Sequence, residues 1–104
     1  MRAPDGVFEA LADPTRRRIV EMLGRAPASA GDLADRLPVT RQAVVKHLAT
    51  LEDAGLVLGA RDGRRVVYTL TPGPFTAAAR WMQDVRAAWD KRLARLEARV
   101  AKRR

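Results

Sequence analysis

Thr40-Arg-Gln-Ala-Val-Val-Lys-His-Leu-Ala-Thr-Leu-Glu-Asp-Ala-Gly55 reads as one amphipathic helix with marked ends. Thr40 has an N-cap side chain, and Gly55 suits the C′ position, where the backbone turns left-handed. Val44, Leu48 and Leu51 recur at helical spacing and define an inward stripe. Gln42, Lys46 and Ala49 fall on the opposite face, with Arg41, Ala43 and Val45 beside the helix entrance. Small, amide and cationic side chains on an outward face suit a DNA major groove, where they reach base edges between anionic backbones.

The segments upstream supply the rest of a reading head. Val7 to Ala12 is a short apolar segment that predicts a first helix. Asp13-Pro14 gives an N-cap followed by proline at N1, and the helix it starts runs through Leu23 to stop near Gly24. Ile19, Val20 and Leu23 are its buried stripe. Ala26-Pro27-Ala28 is a connector. Ser29-Ala-Gly-Asp32 is a weaker capping box, with aspartate replacing the longer Glu or Gln. The helix it opens carries Leu33, Ala34 and Leu37 and is predicted to end at Leu37-Pro38, because proline disfavours a helical residue before it. Only Pro38 and Val39 then separate it from Thr40, which makes a helix-turn-helix.

After Gly55 the period changes. Leu56 to Arg61 and Arg64 to Leu70 read as strands joined by Asp62-Gly63, a favoured hairpin turn. A hairpin behind a helix-turn-helix is a wing, and Arg61, Arg64 and Arg65 flank its tip as candidate phosphate or minor-groove contacts. Thr71-Pro-Gly-Pro74 ends the sheet, and a long helix over 74–102 follows. Its apolar positions are Phe75, Ala78, Met82, Val85, Trp89, Leu93, Leu96 and Val100. That seam exceeds what a small core covers, which points to packing against a second subunit. The expected fold is therefore mainly α with a small β-hairpin: a winged helix-turn-helix of order α-α-α-α-β-β-α, one domain over 1–104, dimeric.

Composition narrows the function. In 104 residues, 20 Lys+Arg against 12 Asp+Glu leave a formal charge of +8, which attracts a polyanion, either nucleic acid or an anionic membrane surface. No stretch approaches the ~18 apolar residues of a membrane span, and the N-terminus lacks a signal-peptide core, so a cytoplasmic protein without a membrane partner is expected. Aromatic residues are too scattered for a single-strand stacking platform, which favours double-stranded DNA. The absence of cysteine and the single histidine exclude disulfides, thiolate sites and His-pair zinc motifs. Neither a metal, a cofactor nor an enzymatic activity is expected, because no base, nucleophile or metal set is grouped.

Individual residues carry more modest expectations. The Thr40 hydroxyl serves as a cap, and a phosphate contact competes for it. His47 flanks the inward stripe as a packed histidine bonding a backbone group. Arg16, Arg17 and Arg18 are surface charges that pair with carboxylates. Trp81 and Trp89 fill the core or a subunit interface. Lys102-Arg-Arg104 is a solvated tail.

With the wing in place, the chain resembles the ArsR family of small winged-helix repressors. Leu11-Ala-Asp-Pro-Thr-Arg-Arg-Arg-Ile-Val-Glu-Met-Leu23 is similar to the family's second-helix signature. Arg41 to Leu48 with Glu52 to Val57 resembles its recognition-helix segment, and Gly63 to Leu70 its wing. The likeness covers roughly residues 7 to 71, in order and at family spacing. It implies a homodimer on a palindromic operator, with the first and last helices at the interface. Val7, Phe8, Leu11, Trp81, Met82, Val85, Trp89, Leu93 and Leu96 are the interface residues this implies. It sets Thr40, Arg41, Gln42, Val45 and Lys46 where family members contact bases or backbone. Val45 stands where serine is frequent in the family, so apolar contact with a thymine methyl would replace a polar one. Many family members release DNA when metal binds cysteines before the recognition helix, or His and carboxylates in the last helix. Here those places read Gly31-Asp-Leu-Ala-Asp-Arg36 and Asp84 with Asp90, without thiolate or imidazole, which implies the metal-independent branch. No residue group specifies an effector. Two other readings compete: a protein-interaction module built on the long last helix, and a DNA-coating protein without sequence preference.

Overall fold

Residues 3–103 are described by the computed structural model, and they form, in order, α1 (Asp5–Ala10), α2 (Pro14–Arg25), β1 (Ala28–Ser29), α3 (Ala30–Ala34), α4 (Arg41–Asp53), β2 (Val57–Asp62), β3 (Arg65–Leu70) and α5 (Pro72–Lys102). Met1, Arg2 and the Arg104 of the C-terminal tail lie outside the described residues. The architecture is the mainly helical, winged arrangement expected, with one added strand. β1 pairs antiparallel with β3, giving a sheet of order β1-β3-β2 in which Ala28 faces Tyr68 and Ser29 faces Val67.

Local chemistry sets each boundary. The Asp13 carboxylate accepts from the backbone N–H of Thr15 (2.8 Å) and Arg16 (3.1 Å) and so starts α2. At α3 both arms of the capping box close: Asp32 N–H donates to Ser29 Oγ, and Ser29 N–H to Asp32 Oδ2, each at 3.1 Å. The α-helix ends at Ala34, earlier than the sequence predicts. A tighter turn, with Arg36 N–H on Leu33 O and Leu37 N–H on Ala34 O, carries the chain on to Leu37, so that residue is still buried. The link to α4 is therefore longer than Pro38 and Val39 alone.

Gly55 ends α4 at φ +76°, with Gly55 N–H bonded to Glu52 O and Leu56 N–H to Leu51 O, both at 2.9 Å. Those two bonds are the Schellman pattern. The wing turn sits one residue later than expected. Asp62 pairs with Arg65, so Gly63 and Arg64 form the loop. Only Gly63 has positive φ (+65°), at the first central position, as in a II′ hairpin. The sheet ends before Thr71 as expected, but α5 starts at Pro72 and not at 74: Pro72 occupies its first turn, where a missing N–H costs nothing.

Ile19, Leu33, Val44, Leu48, Leu51 and Leu56 are fully buried and join α2, α3, α4 and the start of β2 in one core. Among the described residues this core holds no polar or charged side chain. Tyr68 lies beside Gly59 so closely that a Cβ there would stand 2.9 Å from its ring, so any larger residue would force that ring to shift. The packed body stops near the first turns of α5. Ala78 is buried and Trp81 half-buried, whereas every residue from Met82 to Arg103 is exposed. The molecule consequently measures 71 × 25 × 21 Å. No described helix is long and apolar enough to cross a membrane.

Candidate nucleic-acid interface

The inward stripe of Val44, Leu48 and Leu51 fixes the rotation of α4 and turns Arg41, Gln42, Val45 and Lys46 to the surface. Val45 is 47% exposed, in the middle of the three polar side chains. Among the described residues, none of those three side chains is engaged in a hydrogen bond or ion pair. Thr40 Oγ1 accepts from Ala43 N–H at 3.1 Å. The cap thus uses an oxygen lone pair and leaves the hydroxyl proton free to donate, so capping and phosphate contact do not compete as the sequence reading supposed.

Arg16 seats this helix from behind. Its Nη1 lies 3.5 Å from His47 Nδ1, so His47 meets a side chain and not the expected backbone group. The same guanidinium donates to Ala10 O (2.6 Å) and Glu9 O (3.2 Å), and Arg17 donates to Leu11 O (2.9 Å) and Ala12 O (3.0 Å). Arg16 and Arg17 therefore satisfy carbonyls at the C-terminal end of α1 instead of pairing with carboxylates.

The wing arginines separate by sheet face. Ser29 faces Val67, and Arg65 lies two residues from Val67 on the same face of β3. Arg65 accordingly forms an ion pair with Asp32 and donates to Ser29 Oγ at 3.3 Å. Arg61 pairs with Val66 on the other face, and Arg64 occupies the exposed loop; neither has a side-chain partner among the described residues. The Asp32 carboxyl is held below the usual aspartate range, chiefly by the Ser29 N–H, then by the Ser29 hydroxyl, with Arg65 contributing charge. Asp13 is lowered as well, first by the Arg16 N–H.

The residues expected at a subunit interface divide. Val7 is buried in the protomer's own core. Phe8 and Leu11 are half-buried, and the Phe8 ring meets Trp81 edge-on at 5.5 Å. Met82, Val85, Trp89, Leu93 and Leu96 are exposed with Val100 along the free part of α5. Sequence reading missed Asp32 as a wing contact. Its capping box was visible, but its pairing with Arg65 depends on β1, a strand too short to leave a periodic signal.

Known proteins place this architecture. Residues 11–59 match a family described as "Helix-turn-helix domain". Over 92 residues, 88% of this chain and 83% of the relative, the sequence is 45% identical to the HTH-type transcriptional regulator Rv2034 of Mycobacterium tuberculosis. An ArsR-like transcriptional regulator from Rhodococcus sp. RHA1 superposes with a TM-score of 0.81 at 44% identity, covering 90% of this chain and 89% of that one. The chain belongs to the ArsR family of winged helix-turn-helix transcriptional regulators. The transcriptional repressor SdpR of Bacillus subtilis is 31% identical over 78 residues, 75% of this chain and 87% of that protein. Within an ArsR-family protein, α3 and α4 are the helix-turn-helix, and β2 and β3 the wing.

Proposed function

We propose that this ArsR-family regulator is a homodimeric repressor that reads a two-fold symmetric operator with α4. The observation that carries the reading is the unengaged, outward set of Arg41, Gln42, Val45 and Lys46 on a helix capped at both ends and seated by a dry core. Two copies of α4 enter successive major grooves about 34–36 Å apart. Gln42 and Arg41 take base edges, Val45 takes a thymine methyl, and Lys46 and the Thr40 hydroxyl take the flanking backbone. Arg61 and Arg64 rest on phosphates. Arg65 braces the wing through Asp32 and reaches DNA only through that geometry.

Repression is supported by the name of SdpR, and dimerisation by the uncovered apolar stripe of α5. Control without metal is supported by donor chemistry: the sequence has no thiolate, and its one imidazole sits against the Arg16 guanidinium. No catalytic role is proposed. The test is selection of bound duplexes from a random pool, at physiological salt and with competitor DNA. Two inverted half-sites one helical turn apart are expected. Enrichment of no sequence would favour a DNA-coating protein, and failure to bind DNA would favour an interaction module.

A further inference from the structure

Arg92, Arg95, Arg99 and Lys102 recur at spacings of three, four and three along the last turns of α5. At 3.6 residues per turn they fall within an arc of about 80°, on one flank of the apolar stripe. They line a single surface groove with Leu96 and Ala98. All four are exposed, and among the described residues none has an ion-pair partner. The neighbouring carboxylates, Asp90 and Glu97, fall on the opposite flank, where Asp90 meets Arg86 at 3.8 Å. Arg92 lies at the edge of the stripe, its Cζ 6.0 Å from the centre of the Trp89 ring.

Like charges three and four residues apart destabilise a helix, so the row asks for an anionic partner. Three of its members are arginine, whose planar fork matches phosphate. From Arg92 to Lys102 the helix rises about 15 Å, a length over which a DNA duplex carries about nine phosphates. Resting on the reading of α4 as the operator-binding helix, we propose that this flank is a second DNA site. It holds a segment of double-stranded DNA other than the operator.

The fold keeps the two sites apart. Thr71 N–H bonds to Leu56 O at 2.9 Å, and Pro74 lies against Gly55, so α5 starts at the C-terminal end of α4 and the base of the hairpin. Thr40 and Arg41 stand at the other end of α4, about 20 Å along its axis. Arg64 stands about 20 Å away at the other end of the hairpin. From that root α5 projects outward, which gives the molecule its 71 Å length. A straight duplex on the tips of α4 and the wing therefore leaves the row uncovered. An anionic bilayer fits the row less well than DNA. A helix lying on a membrane buries its apolar stripe and brings both flanks to the headgroups, which here would include Asp90 and Glu97. A duplex approaches from the side and meets the cationic flank alone.

The test uses operator duplexes fixed to beads, saturated with the full chain, washed, and offered a labelled duplex of random sequence. Wild-type protein is expected to capture the second duplex. The combined variant Arg92→Gln, Arg95→Gln and Arg99→Gln is expected to keep operator affinity, melting temperature and solution mass. Its capture falls at least about tenfold, and the salt slope of capture by about 2.7. If that variant melts early, Arg95→Gln with Lys102→Gln replaces it, with an expected change in slope of about 1.8. Operator binding without capture by the wild type would overturn the second site and leave α4 standing. Capture that the variants retain would also overturn it, assigning the second duplex to another copy of α4. Sedimentation of wild type, but not the variants, with phosphatidylserine vesicles, while no duplex is captured, would give the row to a membrane surface instead. Failure of wild-type protein to hold operator DNA would remove both sites.

Discussion

At the residue scale, the arginines show how context overrides charge. Arg61, Arg64 and Arg65 are alike in sequence, yet only Arg65 shares a sheet face with Ser29 and reaches Asp32. Arg64→Ala is expected to weaken binding to all duplexes alike and to lower the salt slope by about one unit. Arg65→Ala is expected to leave the slope unchanged, and to have no further effect in an Asp32→Asn background. Equilibrium titrations at several salt concentrations check both; an equal fall in slope for the two arginines would make Arg65 a phosphate ligand. The wing charges were legible in the sequence, but this division was not. It depends on a contact spanning 33 residues, which no periodicity records. Arg16 was misread for a related reason: its partners are backbone carbonyls, which every residue carries and none advertises.

At the element scale, the helix ends were the most legible features, because caps are local. Thr40, Asp13, Ser29 and Gly55 act where the sequence put them. The departures lie in strand pairing: β1 exists because distant β3 offers it an edge, and the wing turn shifted because the hairpin closes with Asp62 on Arg65. Gly55→Ala forces a Cβ into left-handed backbone at φ +76°. It is expected to cost about 1–2 kcal/mol of unfolding free energy in denaturant titrations. The caps also set an acid limit. Asp13 and Asp32 have folded pKa values below the usual aspartate value, so their contribution is complete above that value. It is lost as pH falls through the lowered values. Melting temperature should therefore drop at pH below about 4. Asp13→Asn keeps a capping oxygen and should show a shallower drop; an unchanged acid profile would remove Asp13 from this role.

At the scale of the whole molecule, the body and the last helix make different demands. The body closes its own dry core around α4, whereas α5 runs on beyond it with an apolar stripe that the protomer leaves in water. The seam was legible as a helical period. The point at which the protomer's own packing ends, just past Trp81, was not, since it depends on a tertiary contact between Phe8 of α1 and Trp81. In the proposed dimer the body aims α4, and a second copy sets the spacing of two such helices. The most direct measurement is a titration of wild-type protein and Gln42→Ala against a selected operator, its single-position variants and random DNA at fixed salt. Wild-type protein is expected to prefer the operator by at least about a thousandfold. Gln42→Ala is expected to lose about 1–3 kcal/mol on the operator and its discrimination at one symmetric pair of positions, with unchanged affinity for random DNA. Equal losses on operator and random DNA, or no operator preference in the wild type, would contradict a reading head built on α4.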